Sequence, residues 1–570
     1  MPSTSLDQLL HAYRLGRLTR RDFVRRAVAA GVALGTATSL AGVHGGRAFA
    51  ASSREVDAID AAFDVIVIGS GSAGGALAHR LATTTDARVL VLEAGGPDDV
   101  PEIHDPRQWA TALGTEATKW FATTAQPHTA DRVHNWPRGH VLGGTSCLNA
   151  MVFARGHPSD FDGWAGQGNP GWDYASVLPH FKAFEDSERG ASELRGTGGP
   201  LHVSVPDPAK GHPGAHAFIE AAADLGYPPT DDINGAVMAG PAWVDMTIKD
   251  QRRQSTAVAF LKPAMERDNL TVLTDAPVTR LVFEGDRCVG VTYLHAGEPR
   301  TVRAEREVVL AAGAIDSPKL LMLSGVGDAA SLRALGIEPV VNLPGVGRNL
   351  QDHVLGAGPN YEAPGPVPVS HYNHSEVYMW ATSDARLPAP DVIALYVSLP
   401  FATDALPLDG VAHGWCMLSG LARPSSRGSV TLASADFRDP PVVDPNYLAT
   451  EQDRRAFSYA TELARELALH PAYADQRVRE VLPGAQVEPG TPAWRAFLAK
   501  SAHTYFHPTS TCRMGTDAES VVDAELKVHG VDGLRVADAS IMPQITTANT
   551  NAPTIMIGWK AAEMMRAAMG

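Results

Sequence analysis

The sequence predicts an α/β protein of more than one domain, on three observations. At 570 residues the chain exceeds the range over which one hydrophobic core usually grows. Phe63 to Ile68 is a continuous apolar run broken only by Asp64, the pattern of a strand covered on both faces of a parallel sheet. A glycine-rich turn follows at once, and then apolar residues at helical spacing, so strand, turn and helix come in the order of a βαβ unit.

The N-terminus is read apart from the fold. Thr19-Arg20-Arg21-Asp22-Phe23-Val24-Arg25 sets two adjacent arginines before an apolar pair, and Ala27 to Val43 then runs without a charge toward Ala48-Phe49-Ala50. Basic region, apolar stretch and small-x-small site are the order of a cleavable signal. The arginine pair specifies the twin-arginine (Tat) route over residues 1–50, with cleavage after Ala50 and a periplasmic or extracellular destination. The apolar stretch is too short and too rich in Ala, Gly and Thr for a stable membrane span; the alternative is an amphipathic helix that stays attached. Folding before export, in a reducing compartment, accounts for the spacing of Cys147, Cys288, Cys416 and Cys512, which suits neither a disulfide framework nor a metal site.

Charge narrows the partners. Residues 1–50 hold seven Arg and two Asp, a net of +5, so the remainder carries −20 of a total of −15. Such a surface repels phosphate backbones and anionic headgroups, which excludes nucleic acid as a natural partner.

Gly69-Ser70-Gly71-Ser72-Ala73-Gly74 opens the first helix, carried by Ala76, Leu77, Ala78 and Leu81. A second strand, Arg88 to Leu92, ends at Glu93. From Pro97 to Gly171 the chain is rich in Gly, Pro and Trp and reads as ordered loops. Leu270 to Leu273, Arg280 to Phe283 and Val289 to Leu294 read as a meander, and Glu307 to Leu310 as a strand leading into Ala311-Ala312-Gly313. The Pro-rich stretch Ala363 to Pro368 is expected to cross to a second domain, with strands at Val377 to Trp380 and Val392 to Val397. Arg454 to Leu469 has helical periodicity, and Leu534 to Ala537 reads as a last buried strand. Trp120, Trp136 and Trp164 are assigned to packing.

The glycine turn brings backbone close to a pyrophosphate, and the helix after it presents free N–H groups and a positive dipole end. Glu93 stands 19 residues past Gly74, where an acid accepts from ribose hydroxyls. Together these predict a Rossmann-type dinucleotide site but do not separate FAD from NAD.

Further motifs separate them. Gly139-His140-Val141-Leu142-Gly143-Gly144-Thr145-Ser146-Cys147-Leu148-Asn149 resembles the first signature of the glucose-methanol-choline (GMC) oxidoreductases, and Gly313-Ala314-Ile315-Asp316-Ser317-Pro318 through Ser324-Gly325-Val326-Gly327 resembles the second. His507-Pro508 with Thr511-Cys512-Arg513-Met514-Gly515, Asp538-Ala539-Ser540, and Asn549-Thr550-Asn551-Ala552-Pro553-Thr554 resemble the family's C-terminal block. The wording is most similar to the choline dehydrogenase and choline oxidase branch.

The resemblance implies an FAD domain from 62–165, 268–355 and 505–570, and a substrate domain of antiparallel sheet flanked by helices from 166–267 and 356–504. It implies contacts to FAD from Gly69, Gly71, Ser72, Ala73, Gly74, Glu93, Gly143, Gly144, Asn149, Val278, Asp538 and Ala539. The flavin is expected to be non-covalent, because Leu148 stands where some members carry a histidine joined to it. The implied activity is oxidation of a small-molecule alcohol at its CH–OH group, with hydride passing to flavin N5 and oxygen or a quinone-type acceptor reoxidising the flavin. His507 is the implied base, a role its ordinary pKa of about 6.5 suits, and Asn551 the implied hydrogen-bond partner. The bland alternatives are a structural histidine and an asparagine that caps a helix beginning near Pro553. Glu376 falls where choline oxidase-like sequences place an acid near the substrate cation; a salt bridge or domain contact is the other reading. Phe506, where choline oxidase has Tyr, is the second substrate candidate and favours neutral alcohols. The same scaffold resembles hydroxynitrile lyases and fatty acid photodecarboxylases, and a flavin carrier without catalysis is the remaining alternative.

Overall fold

A computed structural model describes residues 62–569; the export segment expected over residues 1–50 lies outside them. Strand β1 (Phe63–Ile68), helix α1 (Ser72–Thr84) and strand β2 (Val89–Leu92) form the expected βαβ unit, β1 and β2 running parallel from Val65↔Val89 to Ile68↔Leu92. All of β2 is buried, as a strand covered on both faces requires. Strand β3 (Leu270–Leu273) adds parallel to β2, which corrects the expectation that it opens the meander. The meander is instead β4 (Val278–Glu284), β5 (Arg287–His295) and β6 (Glu298–Leu310), paired antiparallel.

Strand β6 has 13 residues and serves two sheets. Glu298–Arg303 pairs with β5, while Ala304–Leu310 pairs parallel with β1, and Val308–Leu310 also with β7 (Leu534–Val536). The parallel order is therefore β3-β2-β1-β6-β7. Helix α2 (Gly313–Leu323) leaves the end of β6, and helix α3 (Asn551–Met569) packs along α1. Small residues permit that approach, since a Cβ added at Gly558 of α3 would stand 2.1 Å from the Ala73 carbonyl of α1.

A second sheet is wholly antiparallel, in the order Arg479–Leu482, Asn360–Glu362, Gly414–Leu421, Val392–Val397, Val377–Ala381, Gly240–Trp243, with Val354–Gly356 and Ala502–Thr504 attached beside Gly414–Leu421. The Pro-rich stretch after Glu362 links two strands of this one sheet, so it does not cross between domains. Alternation at period two decides which side chains face which neighbour. Val377, Met379, Val392, Ala394 and Tyr396 pack under helices Pro213–Asp224 and Glu451–Leu469. Tyr378, Trp380, Leu395, Val397 and Leu418 face the other way, toward Met151, Val152 and Ala548. Their ridge roofs the space above the carboxyl ends of β1 and β2, where open α/β sheets bind ligands. No helix among the described residues is long and apolar enough to cross a membrane.

Candidate active site

One cavity of about 620 Å³ runs from the glycine turn after β1 to the residues around His507, with walls from both sheets. At its first end the turn is shaped for a close ligand. Gly69 has φ +97°, a conformation L side chains rarely adopt, and a Cβ there would also strike the Ala311 carbonyl at 2.6 Å. Gly71 precedes α1 without any side-chain cap, so the first-turn N–H groups remain for an anion. A Cβ at Gly71 would meet nothing nearer than 3.9 Å and would intrude on the cavity instead.

Glu93 ends β2 inside this wall, accepting from Ser70 N at 2.9 Å, Ser70 Oγ at 2.6 Å and Gly95 N at 2.9 Å. Burial raises its pKa against the pull of those bonds. Asp538 is held likewise by Gly313 N at 2.8 Å, Ser317 Oγ at 2.6 Å and Ser540 N at 2.8 Å. Ser72, Ala73, Gly144, Asn149, Val278 and Ala539 line the same cavity. Gly74 and Gly143 stand behind that wall. A Cβ at Gly74 would sit 2.0 Å from the Gly69 carbonyl, so its role is to seat α1 on the turn. Gly143, at φ +93°, backs onto Cys147 and Ala257. Capless helix, glycine-rich turn and two hydrogen-bonded acids fit a dinucleotide, and Leu148 offers the cavity no nucleophile.

At the other end stands His507, positioned by the consecutive buried residues Gln351, Asp352 and His353. Gln351 exchanges backbone hydrogen bonds with Thr509 at 3.2 and 2.8 Å. Asp352 accepts from His507 N at 2.8 Å, from Thr504 Oγ1 at 2.6 Å and from the Tyr447 hydroxyl. The His353 ring meets the His507 ring edge to face, with Nδ1 2.9 Å from Nδ1. Phe506, at φ +63°, is a bulky residue in the left-handed region, and this turn aims His507 at the cavity. Tyr505 packs on the His507 ring at 4.5 Å between centroids. Burial above all holds the His507 pKa well below 6.5. The imidazole is therefore neutral at pH 7.

Asn549, not Asn551, faces this histidine: its Nδ2 lies 3.5 Å from His507 Nε2. Asn551 accepts from Ser72 Oγ at 2.7 Å through Oδ1, tying the first residue of α3 to the first residue of α1. The two asparagines part because α3 begins between them; only Asn549 remains in the loop that passes His507. His353 and Asn549 were thus missed by sequence reasoning, although Asn549 stood in the quoted motif. The only advance signal for His353 is a run of three polar residues beside the predicted domain boundary.

Glu376 does not line the cavity. It is 1% exposed, and its oxygens accept from His212 N at 2.8 Å and from Ser370 Oγ, closing the loop before its own strand. This corrects the expected contact with a substrate cation. Around His507 the cavity is apolar and aromatic instead, from Trp109, Tyr378, Leu395, Val397, Phe401 and Phe506. Trp136 and Trp164 are buried, whereas Trp120 reaches the cavity wall.

Comparison with known proteins identifies the family. The GMC oxidoreductase N-terminal and C-terminal family models match residues 63–355 and 424–558. Mitochondrial choline dehydrogenase of Mus musculus is 41% identical over 536 residues, 88% of this chain and 89% of that protein. Oxygen-dependent choline dehydrogenase of Brucella anthropi is 41% identical over 530 residues, 88% of this chain and 95% of that protein. Among solved structures, pyridoxine 4-oxidase from Mesorbium loti superposes with a TM-score of 0.85 at 39% identity, covering 89% of this chain and 99% of that one. Formate oxidase superposes with a TM-score of 0.83 at 26% identity, over 90% and 99%. With the two motifs, the capless helix of the first βαβ unit and His507 gathered on one cavity, the chain belongs to the GMC oxidoreductases and is an FAD-dependent enzyme of that family.

Proposed function

We propose that the protein oxidises the CH–OH group of a neutral alcohol with an apolar or aromatic body, using His507 as general base. The carrying observation is the ring of His507 at the cavity wall, uncharged, with Nε2 beside the Asn549 amide. Bound FAD supplies a two-electron hydride acceptor. His507 Nε2 takes the hydroxyl proton as the carbon gives up hydride, leaving an aldehyde or ketone. Asn549 Nδ2 donates to the same oxygen while negative charge gathers there. Burial keeps the base uncharged between turnovers, and Arg138, which lines the cavity and donates to the Phe506 carbonyl at 2.8 Å, adds a smaller push in the same direction.

General-base help is worth about a hundred- to ten-thousandfold. His507→Ala is therefore expected to slow anaerobic flavin reduction by that order, with FAD content unchanged. A rate within a few fold of wild type, per bound flavin, removes His507 from the chemistry.

The substrate's neutrality rests on Glu376 being committed to Ser370 and His212, and on the apolar lining near His507. The named substrate of the pyridoxine 4-oxidase fits that lining. The names of the choline dehydrogenases favour a second reading, choline itself. A choline kcat/KM well above that of every neutral aromatic or aliphatic primary alcohol decides for it. Reaction of substrate with flavin in the dark and without oxygen excludes the lyase, photodecarboxylase and carrier readings. Oxygen and a quinone are distinguished as acceptors by reoxidation kinetics. FAD is held without a covalent link, since position 148 is leucine; yellow cofactor is expected in the supernatant after acid precipitation, and flavin kept in the pellet contradicts this.

A further inference from the structure

The protons on the His353–His507 pair follow from their partners and from the neutrality that burial imposes. His353 Nε2 lies 3.0 Å from the Ala422 carbonyl and 2.9 Å from the Thr546 carbonyl. Carbonyl oxygens only accept, so Nε2 carries a hydrogen. The ring is 2% exposed with no carboxylate among its partners, and burial holds it neutral, at a pKa of about 4. Its Nδ1 is then a bare lone pair. The group 2.9 Å away, His507 Nδ1, must donate to it. Neutral His507 has one ring hydrogen, so its Nε2 is left as the lone pair facing Asn549 and the cavity.

We propose that His353 is a positioning residue that locks His507 in the Nδ1–H tautomer, with the basic Nε2 turned to the alcohol. The two backbone carbonyls thus set a tautomer two rings away: carbonyl to His353 Nε2–H, His353 Nδ1 to H–Nδ1 of His507, His507 Nε2 to substrate. A neutral imidazole stands where a serine-protease triad uses a carboxylate. It orients the base and accepts from the imidazolium after proton transfer without binding a proton itself, because burial disfavours a charge on its ring. A carboxylate would raise the basicity of His507 and charge it in advance; the neutral ring orients it and leaves it uncharged.

The inference rests on His507 as the base, and two variants of its partner separate the claims. His353→Asn places an amide oxygen where Nδ1 was and keeps an acceptor for His507. His353→Gln keeps a donor toward the Ala422 and Thr546 carbonyls and loses that acceptor. In the holoenzymes, normalised to bound FAD, stopped-flow reduction of the Gln variant is expected to fall about ten- to a hundredfold. The Asn variant is expected to run at least about tenfold faster than the Gln variant, a rescue that a merely structural staple would reverse. Gln equal to wild type, or Asn no faster than Gln, overturns the proposal. If His507→Ala is crippled while Gln is not, only the tautomer claim fails; if His507→Ala is itself near wild type, the base assignment fails first. Should the Gln variant not load FAD, nitrogen NMR of histidine-labelled wild-type holoenzyme decides. His507, identified by its absence in His507→Ala, is expected with Nδ1 protonated and Nε2 bare. The opposite tautomer overturns the proposal.

Discussion

Asn549 and Asn551 are chemically identical and two residues apart, yet they serve different groups of one cavity. Asn549 can donate to an oxygen that His507 deprotonates; Asn551 has already given its carbonyl to Ser72 at the entry to α1. Asn549→Ala is therefore expected to slow flavin reduction about ten- to a hundredfold, less than loss of the base, with FAD content kept. Asn551→Ala is expected to lower FAD content while the rate per bound flavin stays within a few fold. The comparison needs only flavin absorbance and stopped-flow traces. A larger per-flavin loss in Asn551→Ala restores the motif-based assignment.

At the scale of elements, the anion site on α1 depends on a residue of α3 that lies outside it. Helix α3 approaches α1 so closely that a Cβ at Gly558 would meet the Ala73 carbonyl at 2.1 Å. Gly558 does not line the cavity. Overpacking of this kind costs about 1–3 kcal/mol, and part of it displaces the first turn of α1, whose N–H groups face the cofactor. Gly558→Ala is expected to weaken FAD about tenfold, read by titrating apoprotein. Gly163→Ala is the control, because a Cβ there meets nothing within 4 Å. Equal FAD affinity in the two variants contradicts this coupling.

The whole molecule carries an acid sensitivity in its buried histidines. Burial holds His180, His212, His353 and His503 down to about 4, and His134 to about 2. Unfolded histidines titrate near 6.5. Below that value the unfolded chain takes up protons that the fold refuses, so stability falls from pH 6.5 toward 4. Asp352, which burial pushes up to about 6, and Glu93 and Asp538, which burial also raises, work the other way, but the lowered histidines outnumber them. With saturating FAD, Tm is expected to drop by roughly 5 °C between pH 7.5 and 5.5; an unchanged or higher Tm at pH 5.5 refutes the account. Export is proposed at the same scale. Replacing Arg20 and Arg21 by Lys is expected to leave folded, yellow protein in the cytoplasm, and undiminished export rules out the Tat route.

Local pattern sufficed for the parts of this protein whose geometry is local. The βαβ unit spans Phe63 to Glu93, and strand, capless helix and terminal acid are near neighbours in the chain, so period and spacing determine their arrangement. The motifs around Gly143, Asp538 and His507 named the family, and with it FAD, because each is a short run. The pairing of β3, the commitment of Glu376 to Ser370 and His212, and the choice between Asn549 and Asn551 were decided only in three dimensions. So was the support of His507 by His353, 154 residues away. The physical reason is common to them: each depends on which groups meet when two sheets close on one cavity, and a buried polar atom takes whatever partner that closure brings within reach.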